Sequence, residues 1–153
     1  CMMIVTCDTI VGSRGEERMD VTVNVWAVLI AAVVYFALGA GWYGFLSKPW
    51  MAAVGMTQDD VGRGSNPAIY ALTFVLEAVT VFTLAVLLRN STVSGVLGGM
   101  SLGALVGVGI WFALMSVTFI YESRKPALFF IDGGYHVLAL TVAGAILGVW
   151  PPA

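Results

Sequence analysis

The sequence predicts an all-α fold: a polytopic membrane protein with four transmembrane helices in a compact bundle. Three observations carry this reading. Of 153 residues, 59% are hydrophobic and only 10% charged, against roughly 45–50% and 25% in a soluble domain. Four apolar runs each reach the roughly 20 residues that a helix needs to cross about 30 Å of hydrocarbon. The breaks between them carry helix-end residues, and the runs lack the apolar–polar alternation of barrel strands. The same composition excludes other classes. Seven Lys and Arg face nine Asp and Glu, so no basic surplus exists to neutralise phosphates, and nucleic acid is not an expected partner. The lipid bilayer is. Little mass is left outside the membrane, which excludes a large catalytic domain.

Residues 1–18 read as an N-terminal tail, with Met19 the expected natural start and 19–153 a single four-helix transmembrane domain. Cys1 and Cys7 lie in that tail, form no Cys-x-x-Cys pair and have no His at metal spacing, so no metal site is expected. Lipidation of Cys1 is a minor alternative. The first apolar run extends from Val21 to Leu46. Arg14, Arg18 and Ala37-Leu38-Gly39 give it some look of a cleavable signal, but it continues through Trp42, beyond the length of a signal core. Ser47-Lys48-Pro49 ends it. Asp59, Asp60, Gly62, Arg63, Gly64 and Ser65 then form a polar loop.

The second run spans Asn66 to Leu88. Asn66 reads as an N-cap, with Pro67 in the first turn, where its missing N–H costs nothing. Arg89-Asn90-Ser91 closes it. The third run, Val96 to Ile120, closes at Glu122-Ser123-Arg124-Lys125. The fourth, Pro126 to Val149, is stopped by Pro151 and Pro152. Trp42, Tyr43, Trp50, Tyr121 and Trp150 sit near the boundaries, as interfacial aromatics do. Without the tail, the positive-inside rule puts the first and third loops in the cytoplasm; with Arg14 and Arg18 the bias nearly vanishes. Ser47-Lys48-Pro49 and Lys125-Pro126, each following a Tyr, hint at a duplicated helix hairpin. Arg124 and Lys125 read as interfacial anchors, with anionic headgroups a weaker alternative.

Polar residues inside the runs are the candidates for chemistry. Glu77 lies within the second, where a charged carboxylate costs at least a few kcal/mol. Asn66, Tyr70, Thr73, Glu77 and Thr80 recur at helical spacing and make one polar face. Asp132 and His136, four apart, share a face of the fourth run. Glu77 and His136 each lie ten residues past a starting proline, about 15 Å deep at 1.5 Å per residue. A Glu77–His136 pair is therefore geometrically possible. Tyr70, Thr73, Glu77, Asp132 and His136 form a candidate polar centre. It reads either as a proton-responsive or ligand-binding site, or as a hydrogen-bonded clamp between helices. Asp132 has a second structural reading, as a cap near the start of its helix.

Gly95, Gly99, Gly103 and Gly107 recur every fourth residue of the third run, before Trp111. Such a track lets another helix approach closely. Whether that helix belongs to the same chain or to a second copy stays open, and a glycine-lined channel is a weaker alternative. Gly144 and Gly148 make a shorter track in the fourth run.

Two stretches carry a resemblance. One reads Gly39-Ala40-Gly41-Trp42-Tyr43-Gly44-Phe45, followed by Lys48-Pro49-Trp50-Met51. The other opens with Leu128-Phe129-Phe130-Ile131-Asp132-Gly133-Gly134-Tyr135-His136 and closes with Gly144-Ala145-Ile146-Leu147-Gly148-Val149-Trp150. Together, over about Met19 to Trp150, the chain resembles the bacterial membrane family called domain of unknown function 1761. The resemblance implies a small four-helix protein integral to the membrane, expected in the bacterial inner (plasma) membrane. It implies no activity, so it carries over no catalytic residue and no cofactor. The tail before Met19 departs from the family pattern.

No phosphate-binding glycine loop, nucleophile elbow or metalloprotease helix appears. The reading favours a binding or assembly module in the bilayer rather than an enzyme, with a homo-oligomer or a partner membrane protein as the expected company. A small transporter or proton-coupled carrier using Glu77 and His136 is the first alternative. A membrane enzyme acting on lipid or quinone is the second.

Overall fold

In the computed structural model the described residues are 19–64 and 66–150, with the backbone alone at 63–64. The expectations for the tail and for Pro151 and Pro152 fall outside them. The elements are α1 (Val25–Phe45), α2 (Ser47–Val54), α3 (Gln58–Gly64), α4 (Pro67–Arg89), α5 (Gly95–Val106), a π-helical segment (Gly107–Phe112), α6 (Ala113–Tyr121) and α7 (Pro126–Val149). Four helices are long and apolar enough to cross a membrane: α1, α4, the continuous helix Gly95–Tyr121, and α7.

Local chemistry sets the ends. α1 starts four residues later than its apolar run, because the Asn24 side chain accepts from the N–H groups of Trp26 and Ala27. Asn66 caps α4 by accepting from Ala68 N–H at 2.9 Å, and Pro67 opens the helix. The stretch expected to be a polar loop is partly helical. Thr57 and Asp60 bond reciprocally around its start, a capping box that holds α3 despite its two glycines. α6 ends in a Schellman turn: Arg124 N–H reaches the Phe119 carbonyl, Ser123 N–H reaches Ile120, and Ser123 takes φ 52°. The two successive hairpins differ in their connections: α2 and α3 lie between α1 and α4, whereas a short turn alone joins α6 to α7.

α7 is the hub, packing on α1, α2, α4, α5, the π-helical segment and α6. Two different faces of it do this. Toward α5, glycine meets glycine: a Cβ on Gly99 would run into the Gly144 carbonyl, one on Gly103 into that of Leu140, and one on Gly148 into that of Gly95. A Cβ on Gly107 would press on Val137. The glycine track thus lies against α7 of the same chain. Toward α1 and α4, the core is built from Ala27, Ala31, Ala32 and Tyr35, from Val81 and Leu84, and from Tyr135, Ala139, Leu140 and Ala143. Small side chains again permit close helix approach, which replaces a hydrophobic drive that lipid does not supply. The outer surface is apolar, with Leu97, Ile120 and Trp26 more than 70% exposed, as a lipid-facing surface should be.

The two basic residues at the α6–α7 turn are held by protein. Lys125 Nζ donates to the Ala52 carbonyl at the end of α2, at 2.7 Å. Arg124 pairs with Glu122 and lies over the Phe119 ring.

Candidate functional site

One face of α1 repeats every fourth residue: Ala27, Ala31, Tyr35, Gly39, Tyr43. It delivers two tyrosines to α7 with a gap between them. The gap is required, because a Cβ on Gly39 would sit 2.8 Å from the Tyr135 hydroxyl oxygen. α7 answers with Asp132, Tyr135 and His136 on one face, spaced three and one apart. α4 adds Glu77. The π-helical segment adds Trp111: its wider turn shifts the register of the third span and sets the indole on His136, with ring centroids 4.0 Å apart and planes 31° apart.

The hydrogen bonds form three linked pairs. Tyr43 O–H donates to Asp132 Oδ1 at 2.9 Å. Tyr135 O–H faces Glu77 Oε1 at 2.8 Å and the Tyr35 carbonyl at 3.2 Å. A phenol has one proton, so the nearer carboxylate is its first acceptor. Tyr35 OH and His136 Nδ1 share a bond of 2.8 Å whose direction follows the imidazole tautomer. The rings hold these pairs together, with Tyr135 packing edge-on against both Tyr35 at 5.6 Å and Tyr43 at 5.4 Å. Trp42 Nε1 donates to the Ile131 carbonyl at 3.0 Å, pinning α1 to α7 one turn above.

One atom stands out. Glu77 Oε2 is enclosed and has no hydrogen-bond partner, the single such side-chain atom among the described residues. Leaving a buried polar atom unpaired costs about 1–3 kcal/mol. No Lys or Arg lies inside the four spans except Arg89 at the last position of α4. Within the spans the two carboxyl groups therefore have tyrosines for hydrogen-bond partners and no Lys or Arg at their depth, and His136 is the basic side chain of the cluster. Among the described residues no group of three or more His, Cys, Asp or Glu could hold a metal ion.

The structure sorts the residues singled out in the sequence. Glu77, Asp132 and His136 lie in one cluster, but Glu77 and His136 are joined to two different tyrosines rather than to each other. The depth count put Glu77 level with His136, and its partner is the adjacent residue, Tyr135. Asp132 lies well past the first turn of α7, bonded to Tyr43. Thr73 and Thr80 turn their hydroxyls back to Ile69 and Leu76 of their own helix. Tyr70 is 54% exposed on the outer stretch of α4. The sequence reading missed Tyr35, Tyr135 and Trp111 and placed Trp42 and Tyr43 at the membrane surface. Two signals carried the tyrosines: the four-residue spacing of Tyr35, Gly39 and Tyr43, and Tyr135 beside His136. No periodicity announces the π-helical turn that aims Trp111.

Fold and site together define the class: a four-span helical membrane protein with a tyrosine–carboxylate–histidine centre between α1, α4 and α7. The chain matches the family model described as Protein of unknown function (DUF1761) over residues 26–148, most of its length, and belongs to that family. No curated protein and no solved structure matches it.

Proposed function

We propose that this protein is a binding module of the bilayer, acting in the bacterial inner membrane, with the tyrosine–carboxylate–histidine centre as its site. The observation that carries the reading is the enclosed, unpartnered Oε2 of Glu77. A clamp built only to join helices would use both carboxyl oxygens. An acceptor left open amid Tyr35, Tyr135 and His136 suits a small lipid-soluble molecule that brings its own hydrogen-bond donor. Assembly with a second copy or another membrane protein has less support, because the glycine track lies against α7 and that branch needs another surface.

Native mass spectrometry of the protein released from its bilayer tests this. The wild type should carry a defined small-molecule adduct that Glu77→Gln loses. An adduct-free wild type, or an adduct held equally by Glu77→Gln, sinks the reading.

One observation favours a carrier as the second reading. The Tyr43–Asp132 and Tyr135–Glu77 pairs lie at successive depths, with their tyrosine rings 5.4 Å apart. A proton-coupled carrier predicts flux in liposomes that falls in both Glu77→Gln and His136→Phe; flux indifferent to either variant counts against it.

A further inference from the structure

The opposite end of the bundle holds a cavity that the polar centre does not use. It lies where α1 and the third span begin and where α4 and α7 end, and its volume is about 230 Å³. That is below the roughly 300–1,000 Å³ of pockets for drug-sized ligands, and it suits a headgroup rather than a whole lipid. Its inner wall is apolar, with Ala27, Leu88 and Leu147, while Arg89, Thr92 and Ser94 line it from the α4–α5 connection. The ends of all four spans meet here, so the cavity sits at headgroup depth.

Arg89 is the basic residue that the described chain places at this end. Its Nε donates to Asp20 Oδ2 at 2.8 Å. Asp20 is itself fixed by Asn90, whose side-chain oxygen accepts from Asp20 N–H and whose amide donates to the Asp20 carbonyl. The guanidinium is thus oriented through one edge, while its Nη groups have no protein partner among the described residues. The hydroxyls of Thr92 and Ser94 are likewise uncommitted there, and Ser94 does not cap α5. A planar fork of free N–H donors beside two free hydroxyls matches tetrahedral phosphate oxygens.

We propose that this cavity binds a phosphate group, supplied by the headgroup of an anionic phospholipid. Arg89 and the hydroxyls of Thr92 and Ser94 hold the phosphate oxygens, and the glycerol carbons rest on Ala27, Leu88 and Leu147. A headgroup such as phosphoglycerol fits, because it brings no cation of its own. A choline headgroup would bring a second cation to a rim where both Asp20 oxygens are already taken, Oδ2 by Arg89 and Oδ1 by Thr22.

The test is thermal unfolding of the full chain in detergent with added phosphatidylglycerol, phosphatidylcholine or inorganic phosphate, using wild type, Arg89→Gln and Thr92→Asp. Thr92→Asp puts a carboxylate on the rim and leaves the Arg89–Asp20 pair intact, so it separates binding from folding. Phosphatidylglycerol should raise the midpoint of the wild type, phosphatidylcholine should not, and each variant should need about tenfold more phosphatidylglycerol, as expected when one charge-assisted contact is lost. Inorganic phosphate giving the full shift at millimolar concentration would identify a free phosphate as the ligand and overturn the lipid assignment. Equal shifts with both lipids would overturn anion recognition. A phosphatidylglycerol preference unchanged in both variants would overturn this site.

Discussion

The two packed faces of α7 solve the same problem in opposite ways. Against α5, contact is backbone on backbone: Gly99, Gly103, Gly144 and Gly148 remove side chains, and no side-chain hydrogen bond crosses the seam. Against α1 and α4, contact is side chain on side chain, through tyrosines, two carboxyl groups and an imidazole. The seam has no unmet polar demand. The polar face leaves one oxygen of Glu77 unpaired. Within lipid, where dispersion and close approach already join helices, holding the bundle together does not require the second face. The difference makes the polar face, with its unpaired oxygen, the place where the proposed binding reading can be tested apart from stability.

The sharpest way to break this comparison is to fill the seam. Gly99→Leu or Gly144→Leu drives a side chain into the carbonyl of the facing helix, which is backbone and cannot swing aside. The expected loss is about 3 kcal/mol or more, the upper range of overpacking, read as a lower denaturant midpoint in mixed micelles. Normal unfolding of either variant would mean that the two helices do not touch there.

The polar face should respond more weakly. Tyr135→Phe removes the donor to Glu77, and Glu77→Gln changes the acceptor. Interhelical hydrogen bonds in membranes average only about 0.6 kcal/mol, so each variant should cost about 1 kcal/mol or less in stability while abolishing adduct retention. A loss as large as that of Gly99→Leu would instead make the centre a structural clamp. A double-mutant cycle with Tyr135→Phe and Glu77→Gln gives their coupling directly.

How far the sequence revealed these two faces follows from their physics. The glycine track has a single period, so it was plain; its partner was not, because a glycine face fits a second copy as well as a neighbouring helix. The four spans were legible because hydropathy and end residues agree, although Asn24, which decides where α1 starts, hides inside an apolar run. Glu77, Asp132 and His136 stood out as costly residues in lipid. Their tyrosine partners did not, since an amphipathic phenol belongs equally at the membrane surface. The π-helical segment at Gly107–Phe112 departs from the helical period itself, so counting by four does not place Trp111.

The bundle end offers a pH-dependent contrast to both faces. Asp20 lies outside the spans, and bonds from Thr22 first, then from Arg89, hold its carboxyl down from 3.8 to about 2. A depressed carboxylate contributes stability that is fully present above its unfolded value and disappears as pH falls through its folded one. The contribution should therefore hold above about pH 4 and fade toward pH 2. Thermal midpoints of the wild type and Asp20→Asn should differ at pH 6 and converge near pH 2. A gap that persists at pH 2 would mean that Asp20 acts through packing and not through its charge.

The smallest effect isolates backbone conformation without any helix contact. Ser123 closes α6 at φ 52°, in the left-handed region, with its N–H on the Ile120 carbonyl and Arg124 N–H on Phe119. A side chain there costs about 1 kcal/mol through the crowding of Cβ against the following carbonyl, and glycine returns part of that gain as unfolded-chain entropy. Ser123→Gly should stabilise the bundle by about 0.5 kcal/mol, measured against wild type in the same micelles as Gly99→Leu. At Gly99 a Cβ meets the backbone of another helix, whereas at Ser123 it meets only its own chain. Local helix propensity alone would make Gly99→Leu stabilising, so a loss of stability there would tie the glycine requirement of the seam to the facing helix and not to local conformation.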